Sequence, residues 1–200
     1  MSEQIVILDP VTGELYEPVA VDPYALFGLE ERAVLDVEEL RRRYLALSRT
    51  VHPDRFERAG GEQLARASLW STALNRAYRA LSDTEARLML LMAKAGVAQD
   101  AGTSSTPVAL LAEVFELQEL LEALESGPID QSARAELAKH REMLVARMDA
   151  EVQAMTRLAE RWDSAPERHS EVAAEVVACL DRRRYAERLL DRVDRIVRQR

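Results

Sequence analysis

Val37, Leu40, Tyr44, Leu47 and Val51 recur at steps of three, four, three and four, and this spacing constrains the fold more than anything else in the chain. Apolar groups so placed share one side of an α-helix and no side of a strand, predicting an amphipathic helix of about four turns. Asp36 stands where a start residue accepts the free amides of a first turn, and Glu39 follows three positions on. Pro53 disfavours helical geometry at His52 and Gly60-Gly61 marks a stop, which leaves residues 52–61 as a loop. A second stripe follows at Ala67, Trp70, Leu74, Ala77, Tyr78 and Leu81. Two helices with facing stripes and a polar loop between them make an antiparallel helical hairpin. Composition points the same way: aromatics are 5 % of the chain and glycine and proline number seven each, so there is little from which to build a sheet.

Around the hairpin the chain divides by composition. Residues 1–21 hold a short β-prone run with a turn signal at Asp9-Pro10-Val11-Thr12-Gly13, predicting a small hairpin or ordered arm whose role the sequence leaves unassigned. "DPYALFGLE" predicts one short turn of helix, and a further helix from Thr84 to Ala95 ends at Gly96. Residues 97–106, "VAQDAGTSST", break the pattern and form the expected linker. Thr106 as cap and Pro107 as first helical residue then open a helix that Ser126-Gly127-Pro128 stops near Glu125. A long helix is expected from Gln131 to Trp162, with Leu137, Leu144, Met148, Met155, Ala159 and Trp162 inward. A last one, from Ser170 to Gln199, carries Ala173, Val176, Leu180, Leu190, Val193 and Val197. Three helices with short turns imply an antiparallel bundle over residues 107–200. The expected class is all-α.

Charge is unevenly spread. The chain carries a net charge of −8, yet residues 37–80 place nine arginines against five acids. Arg41, Arg42, Arg43 and Arg49 lie largely off the first apolar stripe, so they make a positive face that leads directly into His52-Pro53-Asp54. Catalysis at His52 would need a second polar group converging on it, and the linear sequence shows none nearby. An ordinary turn is a sound reading, because proline fixes one dihedral angle and aspartate bonds its own backbone. Docking onto an acidic protein surface is the other, with rim charges steering the encounter and the loop supplying specificity.

One cysteine, Cys179, and three scattered histidines offer no ligand set at metal-binding spacing, so neither a metal nor another cofactor is expected. The amino terminus lacks the basic and apolar runs of a secretory signal, and no stretch approaches the length that spans a bilayer. The expectation is a reduced, cytoplasmic protein that binds neither membrane nor nucleic acid. The basic carboxy-terminal run "DRRRYAERLLDRVDRIVRQR" is interspersed with acids and sits where cations favour a helix end.

In the helix from Pro107, Leu110, Val114, Leu117, Leu121 and Leu124 already complete a core stripe. Leu111, Ala112, Phe115 and Leu120 are apolar in addition and are bordered by Glu116 and Glu119. Apolar area rimmed by acids suits a binding surface. It suits equally well packing against the amino-terminal hairpin or against a homodimer mate.

"DPYALFGLE", the helix ending in "RTVHPDRF", and "LNRAYRALSDTEAR" resemble a J-domain in its full order, over residues 22–96. The resemblance implies that His52, Pro53 and Asp54, with the basic face of Arg41, Arg42 and Arg49, contact a DnaK/HscA-type ATPase chaperone and stimulate its ATP hydrolysis. A J-domain placed first, a short linker, and a bundle containing "LLAEVFELQELLEALE" and "RRRYAERLLDRV" are similar to the HscB family, co-chaperones of iron-sulfur cluster assembly. That similarity implies an L-shaped arrangement of hairpin and bundle. It also implies that Leu111, Ala112, Phe115, Glu116, Glu119 and Tyr185 bind an IscU-type scaffold protein. Ala112 stands where the family has a methionine, and Ala123 where an acid is usual. By this reading the chain is an adaptor and not an enzyme. A J-domain protein delivering a different client is the alternative, and a helical nucleic-acid or structural protein with an incidental His-Pro-Asp loop is a third reading.

Overall fold

The computed structural model describes residues 5–18, 21–97, 115, 117–122 and 130–199. The linker, the Thr106 and Pro107 helix start, the Ser126-Gly127-Pro128 stop, and Leu111, Ala112 and Glu116 lie outside the described residues. Internal contacts divide the chain into two compact units, Met1–Gly96 and Val97–Arg200.

The first unit is organised around one helix. α1 (Pro23–Phe27) is capped by Asp22, whose side chain accepts from the amides of Tyr24 and Ala25, and it ends on Gly28 in the left-handed region. α2 (Val37–Thr50) starts on Asp36, which accepts from Glu38 N and Glu39 N. A 3-10 turn (Pro53–Phe56) follows, then α3 (Gly61–Ser82). α4 (Thr84–Lys94) is capped by Asp83 and leaves its last turn through Gly96 at φ 65°. α1, α2, the 3-10 turn and α4 all pack on α3, burying Trp70 with Leu74, Leu81, Tyr24, Phe27, Leu40 and Met92. Tyr44 of α2 stacks on Tyr78 of α3 at 4.3 Å between ring centroids. Their stacking ties α2 to α3.

The amino-terminal arm does not stand apart. Asp9 accepts from the amides of Val11 and Thr12, Gly13 takes φ 71°, and Leu8 bridges Leu15, so residues 7–16 form a small hairpin. It docks on α3. The buried Gln63 carboxamide oxygen accepts from Leu15 N at 2.8 Å, Arg66 donates to Leu15 O at 2.8 Å, and Trp70 Nε1 donates to Tyr16 O at 2.7 Å. Leu15 is fully buried by this contact.

The second unit is built on two long helices. α5 is described over residues 115 and 117–122; α6 runs Gln131–Ser164, and α7 runs His169–Gln199 after a 3-10 turn at Pro166–Arg168. α6 and α7 are antiparallel: going outward from the turn, Arg161 pairs with Glu175, Arg182 with Glu151, and Arg141 with Asp194. Leu117 and Leu121 enter a core with Leu137, Leu144, Ala186, Leu189, Val193 and Ile196. Here the structure corrects the expected α7 stripe. Val197 is 55 % exposed and Leu190 only partly buried, while Leu189 and Ile196 take the interior. This end of α7 packs on α5 as well as α6, so its buried face turns toward the second partner. On α6, Glu151 is also buried, at a position on the core stripe that an apolar reading of the sequence passes over.

Candidate functional site

The His-Pro-Asp turn is held outward by its neighbours. Val51 and Phe56, on either side, are buried at 0 % and 8 % exposure and fix both ends of the turn in the core. His52 and Asp54 side chains between them remain 56 % and 76 % exposed. His52 Nδ1 accepts from Asp54 N at 3.3 Å, so the imidazole caps the amide two residues on across the proline, with Asp54 Oδ2 3.4 Å from the same nitrogen. Arg55 donates to the carbonyl of Arg49 at 3.2 Å, tying the turn to the last carbonyls of α2, a role the sequence reading did not foresee. His52 and Asp54 thus face solvent side by side.

α2 presents Arg41, Arg42 and Arg49 to solvent. Arg43 is different: half-buried, it donates to Phe27 O at 2.8 Å and Gly28 O at 2.6 Å, fastening α2 to the end of α1. Glu39 accepts from Arg43 at 2.7 Å and from Arg42 Nε at 3.1 Å, and these two guanidiniums hold its carboxyl below the ordinary value. Glu39 therefore does not close a capping box onto Asp36 N; its acid is spent on arginines. One acid shared between two arginines leaves the solvent face of α2 net positive.

In the bundle, Phe115 is 63 % exposed and Glu119, one turn on, is exposed as well. Gln118 lies on the same face of α5 and donates to Tyr185 Oη at 3.3 Å, which brings the α7 ring beside that face. Tyr185 is not wholly free of the core, since its ring packs partly against the Leu117–Leu144 cluster. The Arg188 guanidinium stands 5.6 Å from its ring centroid. Gln118 and Arg188 thus orient Tyr185, and neither announces itself in the linear sequence.

Cys179 and His169 are occupied in packing. Cys179 is buried and donates toward Glu151 O at 3.4 Å; burial, and then the Glu151 contact, push its thiol up to about 12. His169 stacks on Trp162 at 3.7 Å and bonds its carbonyl oxygen. Among the described residues no group of three His, Cys, Asp or Glu is placed to hold a metal ion, and no helix is long and apolar enough to cross a membrane.

A basic helix, a projecting His-Pro-Asp turn and a returning helix, followed by an antiparallel helical bundle, define the class of J-type co-chaperones with an appended helical domain. Comparisons narrow the class. No protein-family model matches the chain. The co-chaperone protein HscB homolog of Bordetella pertussis is 35 % identical over 124 residues, 61 % of this chain and 73 % of that protein. That of Paraburkholderia phymatum is 31 % identical over 159 residues, 80 % of this chain and 87 % of its own length. Two solved structures share the fold. Chaperone HscB from Vibrio cholerae superposes with a TM-score of 0.61 at 23 % identity, covering 90 % of this chain and 99 % of that one. Human co-chaperone protein HscB gives 0.67 at 18 %, covering 96 % and 90 %. The chain belongs to the HscB family of J-type co-chaperones of iron-sulfur cluster assembly.

Proposed function

We propose that this chain docks on a DnaK/HscA-type ATPase chaperone through His52, Pro53, Asp54 and the α2 arginines Arg41, Arg42 and Arg49, and stimulates its ATP hydrolysis. The bundle holds an IscU-type scaffold protein through Phe115, Glu119 and Tyr185, together with Leu111, Ala112 and Glu116. Holding client and chaperone on one chain raises the client's effective concentration at the chaperone, so that hydrolysis and client capture are coupled. No bond need be made or broken by the chain itself. With one cysteine, and that one buried, nothing in it calls for an oxidising compartment, and we assign its work to the cytoplasm.

The observation that carries this reading is the tripeptide's exposure between two buried anchors. Positive charge on α2 supports it: several exposed guanidiniums raise the encounter rate with an acidic partner, and a proline-stiffened turn loses little entropy on docking. For the bundle, support comes from Phe115, a large apolar side chain left in water beside an acid.

Single-turnover ATPase measurement with the chaperone, with and without scaffold, is the test. Stimulation by the chain, lost in His52→Gln, is expected, with the scaffold and the chain together exceeding the product of their separate effects. Phe115→Ala should remove that synergy and keep the stimulation. Synergy indifferent to Phe115→Ala would assign the bundle to another client, and stimulation indifferent to His52→Gln would end the J-domain mechanism.

A further inference from the structure

Resting on the chaperone-docking reading above, we infer that Leu45 is the apolar anchor of the α2 face, seated in an apolar depression of the ATPase chaperone that carboxylates surround. Leu45 is 43 % exposed on a helix whose core-facing positions are already filled by Leu40, buried, and Tyr44, stacked on Tyr78. It is four residues after Arg41, three after Arg42 and four before Arg49, so helix geometry makes all three arginines its immediate surface neighbours. The same face then runs past Arg49 into the His52 turn.

Exposed leucines are ordinary singly, and Leu69 on α3 is more exposed still, at 53 %. What separates Leu45 is its setting. Arg41 and Arg49 one turn to either side of an exposed isobutyl group, with the Glu39-paired Arg42 adjacent, form the pattern of an interface centre, with an apolar knob that loses water on docking and a charged rim that meets opposite charge. Arginine stems extend the apolar area beyond the leucine itself. A partner that fits this pattern must offer acids at the spacing of the arginines and a greasy floor between them. A uniformly acidic surface would gain nothing from Leu45, and a membrane or nucleic acid would offer no enclosed apolar floor. The electrostatic rim sets the encounter rate, whereas the buried leucine sets how long the complex lasts.

The test titrates the full-length chain into single-turnover ATPase reactions of a purified DnaK-type chaperone at two salt concentrations. Leu45→Ala is expected to raise the concentration for half-maximal stimulation about tenfold, leaving the plateau and the salt dependence as in the wild type, and Leu45→Met should restore it. Leu69→Ala serves as the control for loss of an exposed leucine and should behave as wild type. Because Leu45 lies outside the core, circular dichroism melts of Leu45→Ala should match the parent. A midpoint within twofold of wild type, or a lowered plateau at an unchanged midpoint, overturns the assignment. Stimulation abolished by His52→Gln but insensitive to Leu45→Ala overturns Leu45 alone; a wild-type chain without stimulation overturns the docking reading and Leu45 with it.

Discussion

Glu151 shows how much a single side chain can decide. It occupies a core position of α6, 8 % exposed, and receives Arg182 from α7 in a two-pronged contact at 2.7 and 2.8 Å. Burial alone would raise its carboxyl; the Arg182 fork and the Cys179 thiol outweigh that and hold it below the ordinary 4.5. Since the folded value is the lower one, this group's contribution to stability is complete above about pH 4.5 and is lost as pH falls through the folded value. Arg182→Ala should therefore cost about 2–3 kcal/mol at neutral pH by stranding a buried carboxylate, somewhat less than a wholly buried pair because Arg182 is partly exposed. The double replacement Glu151→Leu with Arg182→Leu should recover most of that loss and flatten the acid side of the profile, as read by urea unfolding between about pH 3 and 7.

The amino-terminal hairpin matters at the scale of elements. Its hydrogen bonds to Gln63, Arg66 and Trp70 span roughly fifty residues of chain, with Leu15 and Gln63 48 positions apart. The order of the arm therefore depends on α3. Gln63→Leu leaves the buried Leu15 N–H without an acceptor and should cost about 1–2 kcal/mol, seen as a lowered melting midpoint and faster proteolysis before Tyr16. Chaperone stimulation should survive, because the hairpin docks on the α3 flank of Trp70 whereas the arginine face belongs to α2. An unaltered melt would mean that the arm rests on α3 without stabilising it.

As a whole molecule the chain contains two cores, one centred on Trp70 and the other on the Leu117–Ile196 cluster. Each has its own buried set, so each should fold without the other. Residues 1–96 expressed alone are expected to melt cooperatively and to stimulate the chaperone, and to show no added effect of scaffold. Loss of stimulation in a well-folded 1–96 fragment would show that the bundle takes part in docking, which the two-ended adaptor does not allow.

Local rules account for what could be read from the sequence. Asp36 caps, Gly96 ends a helix, Pro53 forms the turn after α2, and the apolar steps from Leu40 to Val51 mark a helix, each within a few residues of itself. The His-Pro-Asp turn was legible for the same reason, from Pro53 and Gly60-Gly61; the burial of Val51 and Phe56 that holds it outward came with the structure. Only the tertiary structure decided which helix face meets which partner. It turned Ile196 inward and Val197 outward, gave Glu151 an arginine from another helix, and laid Leu15 on Gln63. Periodicity places a side chain on its own element; its burial depends on groups far away in sequence, which no local pattern encodes.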